Sequence, residues 1–163
     1  RINVNEVIIK SKGREIKRKF DMNGILISSD GQQIKLLVKL ATRRESRKIG
    51  TICAHIENMI GGIKEDFVYK LEICNIHFPM NVKVEGNKVL IKSFLGEKTE
   101  RIAEILPDTK VEVKGNEITV SSPDVELAGQ TAANLEKATR LRGRDRRIFQ
   151  DGIYITDKCG RKI

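Results

Sequence analysis

Short apolar alternations fill the first forty residues, and turn-forming pairs interrupt them at regular intervals. Val7, Ile8 and Ile9 lead to a turn at Lys12-Gly13, then Glu15 to Phe20 leads to a turn at Asn23-Gly24. Ile25 to Ile27 and Ile34 to Leu40 flank Asp30-Gly31, a pair suited to the positive φ angles of a tight hairpin. The period then lengthens to that of a helix. Ile49, Ile52, Cys53, Ile56, Met59, Ile60 and Ile63 fall on one face, and Gly61-Gly62 is the expected end. Phe67, Tyr69, Leu71 and Ile73 then alternate, which predicts a strand with one buried face.

The order repeats. Strand patterns cover Val82 to Val84, Val89 to Phe94, Arg101 to Ile105, and Val111-Val113 with Ile118-Val120 around Gly115-Asn116. Ser121-Ser122-Pro123-Asp124 supplies a helix start, with a capping side chain, a proline for the first turn and acids near the positive end. Ala128, Thr131, Ala132, Leu135 and Ala138 form its inner face, and Ile153 to Ile155 is a last strand. From Gly31 to Phe67 is 36 residues and from Gly115 to Phe149 is 34. The expected fold is therefore α+β, a tandem duplication of a small domain, each half a mostly antiparallel sheet packed with one main helix. Residues 1–78 and 79–163 are the expected halves, hinged near Phe78-Pro79.

Charge changes the picture. The chain carries a net +9, unevenly spread. Lys10 to Lys48 holds twelve basic and four acidic residues, Asn81 to Ala138 eight and ten, and Thr139 to the end eight and three. Two cationic poles around a near-neutral middle are the footprint of a polyanion binder. The densest cluster is Arg140, Arg142, Arg144, Arg146 and Arg147, five guanidinium groups in eight residues. Such crowding repels itself unless an anion sits against it. If the stretch is extended, Arg140, Arg142, Arg144 and Arg146 project to one side, each able to grip phosphate through paired hydrogen bonds. A helix C-terminus attracts cations through its dipole, but that accounts for Arg140 and Arg142 and not for all five.

Other chemistry is sparse. No phosphate-binding loop, no nucleophile elbow and no H-E-x-x-H occurs. Cys53-x-His55 and Cys74-x-x-His77 offer four metal-ligand types, yet Cys53 lies on the apolar helix face and His55 points away from it. Core cysteines and a surface histidine are the expectation, with no metal and no cofactor. The three cysteines suit a reducing compartment, no apolar run is long enough for a helical membrane span, and the expected address is cytosolic. Trp is absent and Phe and Tyr total seven, with Phe67, Tyr69, Phe149 and Tyr154 at strand positions expected to be core. The expected partner is structured RNA held through phosphates and shape, not a loose strand read on exposed rings. An RNA-processing enzyme with a cryptic carboxylate site would need acids beside the basic loop. A protein-interaction module would use exposed strand edges and bind with little regard to salt.

Arg142 to Lys158, R-G-R-D-R-R-I-F-Q-D-G-I-Y-I-T-D-K, resembles the C-terminal signature of the large-subunit ribosomal protein family universally numbered six, number nine in eukaryotes. Thr51 to Gly62 resembles its first-domain helix, and Ser93 to Lys98 a strand and turn of its second domain. The wording is that of the archaeal and eukaryotic branch, with Lys137 standing where the signature usually opens on Gln. The resemblance implies a non-catalytic protein of the cytosolic large subunit. It implies binding of large-subunit rRNA near the sarcin–ricin loop, beside neighbouring proteins of the stalk base, with no small-molecule substrate. The expected rRNA contacts are Arg140, Arg142, Arg144, Arg146, Arg147 and Lys158, joined by Arg43, Arg44, Arg47 and Lys48 in the first half.

Overall fold

The computed structural model describes residues 2–3, 6–11, 14–21, 24–29, 33–39 and 41–163. The turns expected at Lys12-Gly13 and Asp30-Gly31, and Asn23 of the third, lie outside the described residues. The chain forms two compact units, Arg1–Glu65 and Asp66–Ile163.

In the first unit, β1 (Ile2–Asn3), β2 (Glu6–Ser11) and β3 (Arg14–Lys19) make an antiparallel sheet in that order. β4 (Ile25–Ser29) and β5 (Ile34–Val38) pair as an antiparallel ribbon, with Ile25 opposite Val38. The helix α1 (Arg43–Lys64) follows. Val7, Phe20 and Ile25 are buried together with Ile52, Ile56 and Met59, which recur at helical spacing along one stripe of α1. The helix does not stop at Gly61-Gly62. It runs to Lys64, because Gly62 is buried on the inner face and the Glu65 N–H still reaches the Gly61 carbonyl at 2.9 Å. Cys53 and Ile60 fall outside the stripe and are exposed, so the buried face is narrower than the apolar pattern suggested.

The second unit contains β6 (Phe67–Cys74), β7 (Asn81–Glu85), β8 (Lys88–Lys92), β9 (Arg101–Glu104), β10 (Lys110–Lys114) and β11 (Glu117–Ser122). The helix α2 (Val125–Ala138), β12 (Gly152–Lys158) and β13 (Arg161–Lys162) complete it. β7, β8 and β9 form one antiparallel meander, while the larger sheet runs β10-β11-β6-β12-β13. α2 packs on β6, β9, β11 and β12, so it contributes to one core with strands of both sheets. Leu71, Ile73, Ile91, Phe94, Leu135 and Ile153 are among its buried side chains. Asp124 caps α2 by accepting the Glu126 N–H at 2.9 Å, and Pro123 precedes the cap instead of entering the first turn. No helix among the described residues is long and apolar enough to cross a membrane.

The unit boundary falls twelve or so residues before the expected hinge at Phe78-Pro79. β6 follows α1 as β12 follows α2, so the chain order of meander, ribbon, helix and strand does repeat. Yet β6 pairs with β11 on one side and β12 on the other, and its Leu71 and Ile73 lie in the second core. A fragment starting at residue 79 would split the larger sheet, leaving β11 and β12 each with an open edge, and would lose those two side chains. Their burial alone is worth about 3–6 kcal/mol. Residues 66–163 are expected to unfold as one cooperative transition and residues 79–163 to lack native structure, as read by far-UV circular dichroism and melting. Similar melting curves for the two fragments would contradict the assignment of β6 to the second unit.

Candidate nucleic-acid interface

The arginine-rich segment spans the gap between α2 and β12, and both of its ends are fixed from inside the second unit. At its start, Arg101 of β9 donates to the carbonyls of Ala138 (2.9 Å) and Arg140 (3.2 Å). The same guanidinium lies over the Phe94 ring at 4.3 Å and is gripped by both oxygens of Glu97, at 2.8 and 2.6 Å. Arg101 thus closes the C-terminus of α2, where cationic donors meet unsatisfied carbonyls. Its hydrogen bonds hold the Glu97 carboxyl below the usual range, against the opposing effect of burial, and Arg144 adds to the lowering. Thr139 completes this end: its hydroxyl donates to the Glu136 carbonyl at 3.2 Å and accepts the Ile153 N–H at 2.9 Å.

At the far end, the carboxylate of Asp151 is 1% exposed. It accepts the backbone N–H of His77 at 2.9 Å and meets the His77 ring Nδ1 at 2.6 Å. An ionised carboxylate can only accept, so Nδ1 carries the proton. Burial would raise the Asp151 pKa, but the His77 and Ile76 donors outweigh it and hold the group below the ordinary carboxylate range. His77 also packs on the Phe149 ring, centroids 5.0 Å apart.

Between these pins the segment bends, and the expected extended row of alternating arginines does not form. Gly143 takes a left-handed φ of +67°, which a side chain would strain. Asp145 then nucleates a turn: its carboxylate accepts the Arg147 N–H at 2.9 Å, and its carbonyl accepts Ile148 and Phe149 at 3.2 and 3.0 Å. The five arginines are all exposed. Arg144 folds over the Phe149 ring at 4.8 Å, while Arg140 and Arg146 line a groove beside Tyr154. Lys158 is not brought to them: it closes β12 beside Arg161, about 20 Å of strand from Gly152.

In the first unit, Arg43, Arg44, Arg47 and Lys48 share a cleft with Arg18 and Lys19 of β3. Arg43 and Arg44 occupy the first turn of α1, the end where the helix dipole disfavours cations, and the Thr42 hydroxyl makes no capping bond. An anion there would relieve both. Lys48 is paired with Asp21 at 2.9 Å.

Several expected placements differ. Tyr154 is 40% exposed instead of core, because it occupies the face of β12 opposite Ile153. Cys53 and Cys159 are exposed, and Cys74 is half-buried. His55, expected at the surface, is half-buried with its ring 5.9 Å from Phe20. Among the described residues no three His, Cys, Asp or Glu side chains converge as a metal site would require. The sequence reading missed Glu97, Arg101, His77 and Asp151 as organisers of the loop. Only Arg101 and Glu97, four apart, leave a local signal; Asp151 and His77 are 74 positions apart.

The family model for ribosomal protein L6 matches residues 78–152, which take in the arginine segment, Glu97, Arg101 and Asp151. Large ribosomal subunit protein uL6 of Methanococcus vannielii is 44% identical over 162 residues, 99% of this chain and 89% of that protein. The uL6 protein of Methanosphaera stadtmanae is 48% identical over 96% of this chain and 86% of its own length. That of Aeropyrum pernix is 47% identical over 88% and 80%. With identities this high across nearly the whole sequence, the chain belongs to the ribosomal protein L6 family.

Proposed function

We propose that this chain is a structural protein of the large ribosomal subunit, binds large-subunit rRNA through the Arg140–Arg147 segment, and performs no catalysis. The observation that carries the reading is five exposed arginines on a loop held at both ends by partly buried polar contacts. Holding the ends lowers the entropy lost when the loop docks, so more of the phosphate attraction appears as affinity. Most acids near the loop are already engaged: Asp145 in its turn, Asp151 with His77 and Glu97 with Arg101. Glu136 lines the groove beside Arg140 with no second carboxylate among its lining residues, so the paired acids of an RNA-processing enzyme are not brought together there.

The finer reading is a seat near the sarcin–ricin loop, beside proteins of the stalk base, in cytoplasmic ribosomes. Its support is the resemblance of Arg142 to Lys158 to the family signature. The first-unit cations Arg43, Arg44, Arg47 and Lys48 serve as a second rRNA contact, with Arg18 and Lys19 beside them. Lys158 contacts a separate stretch of RNA, given its distance from the loop. Hydroxyl-radical footprinting of large subunits with and without the protein tests the location. Protection of the sarcin–ricin region is expected, and protection elsewhere alone would overturn it.

The Arg101 clamp gives a further expectation. Arg101→Met keeps much of the contact with Phe94 but removes the bonds to Glu97, Ala138 and Arg140. A loss of about 2–3 kcal/mol in unfolding free energy is expected, since charged hydrogen bonds of a partly buried group are removed. Unfolding by urea measures it, and a loss below about 0.5 kcal/mol would mean the clamp is dispensable.

A further inference from the structure

Tyr154 plays no part in neutralising phosphate, yet its placement is specific. It stands on β12 two residues after Gly152, so both positions face the same side of the strand. The phenol leans back over the glycine: a Cβ on Gly152 would meet Cζ and Oη at 3.1 Å and Cε2 at 3.2 Å. Only a residue without a side chain lets the ring lie this close to the backbone. The ring nonetheless stays 40% exposed.

Beside it opens a groove of about 790 Å³. Ile76, Leu141 and Cys74 give it an apolar lining, Gln150 and Glu136 offer hydrogen-bonding groups, and Arg140 and Arg146 bring positive charge. Burial pushes the Tyr154 hydroxyl up and Arg146 pulls it the other way, which puts the guanidinium within electrostatic reach of the ring. Neutralising a phosphate backbone needs only exposed cations. A concave site with a flat aromatic, a carboxamide and an apolar lining suits a planar heterocycle.

We propose that this groove takes one unstacked nucleotide of the bound RNA, with the base against Tyr154, its edge toward Gln150 and Glu136, and its phosphate on Arg140 and Arg146. The inference rests on the RNA-binding reading above. It adds base contact to an interface otherwise made through phosphates. Gly152 is then required as the bed of the aromatic platform, not for backbone freedom.

Two measurements on the full chain test it. In the first, nucleoside 5′-monophosphates, ribose 5-phosphate and inorganic phosphate are titrated separately while the NMR signals of the Gln150 carboxamide and Tyr154 ring are followed. At least one nucleotide is expected to saturate at a concentration several-fold below ribose 5-phosphate, and Tyr154→Leu is expected to abolish the difference. Equal responses to all three probes would reduce the groove to a phosphate subsite and overturn the proposal.

In the second, affinity for archaeal large-subunit rRNA is compared among variants whose melting shows them folded. Tyr154→Leu is expected to weaken binding by about 5- to 100-fold, the range of one lost stacking contact, with the salt slope unchanged. Gly152→Ala should weaken it in the same direction by displacing the ring, and Tyr154→Phe, which keeps the ring, should lose far less than Tyr154→Leu. Parental affinity in Tyr154→Leu would overturn the groove assignment while leaving the phosphate reading intact. A parent protein without salt dependence would overturn the phosphate reading, and the nucleotide titration would still decide the groove.

Discussion

Reversing three charges, Arg142→Glu, Arg144→Glu and Arg147→Glu, is expected to eliminate stable incorporation into the large subunit while leaving the protein folded. All three side chains are exposed, where substitutions usually shift stability by about 0.5 kcal/mol or less. Arg144 adds a little through its place over Phe149, worth about 0.5–1 kcal/mol at an exposed site. The effect on binding is of another order. An interface of roughly six to ten phosphate contacts loses about 10³–10⁵ in affinity between 50 and 200 mM salt, and each contact removed flattens that dependence by about one unit. Reversal also introduces repulsion, so the triple Glu variant should bind more weakly than the triple Ala variant. Glu112→Lys with Glu117→Lys is the control. Those acids lie on β10 and β11 in exposed pairs with Lys114 and Lys70, and their reversal should leave rRNA binding at or above the parent level.

Asp151→Ala should destabilise the second unit more than any change in the loop itself. The Asp151 carboxylate is buried, and its removal leaves the His77 N–H and the partly exposed His77 ring without their acceptor. Losing a charged acceptor from such partly buried hydrogen bonds costs about 1.5–3 kcal/mol. In a unit of this size that lowers the melting temperature by roughly 6 °C or more. Because the folded-state pKa of Asp151 is depressed, its contribution is fully present above the ordinary carboxylate range near 4 and is lost as pH falls through the lower folded value. Asp151→Asn should therefore melt with a flatter dependence on pH below about 4 than the parent. Equal acid sensitivity in the two proteins would mean that other carboxylates carry the effect.

Periodicity in the sequence was enough to place both helices, the ribbon pairs and the repeated order of elements. Alternation in β6 correctly marks one buried face, but says nothing about which core receives it; that depends on partners β11 and β12, far along the chain. The end of α1 was misjudged for a related reason. Gly61-Gly62 is a stop signal only where no packing continues, and Gly62 is buried against the core. The arginine cluster was visible as composition, whereas its shape was not. A bend at Gly143 and the Asp145 turn are local and could have been weighed, since both residue types favour such geometry. The pins could not have been. Arg101 reaches the loop from 37 and 39 positions away, and His77 from 74, so their roles exist only in three dimensions. Alternation alone marks Tyr154 as core, whereas β12 shows one face to the core and the other to a groove.

Phosphate binding by the loop is measured most directly by the salt dependence of the parent protein's affinity for large-subunit rRNA. A plot of log affinity against log salt should be linear with a slope of about −4 or steeper, as expected when several guanidinium groups displace counterions. In Arg142→Glu, Arg144→Glu, Arg147→Glu the slope should flatten by about three units. A parent slope near zero, or the same slope in the parent and the variant, would contradict it.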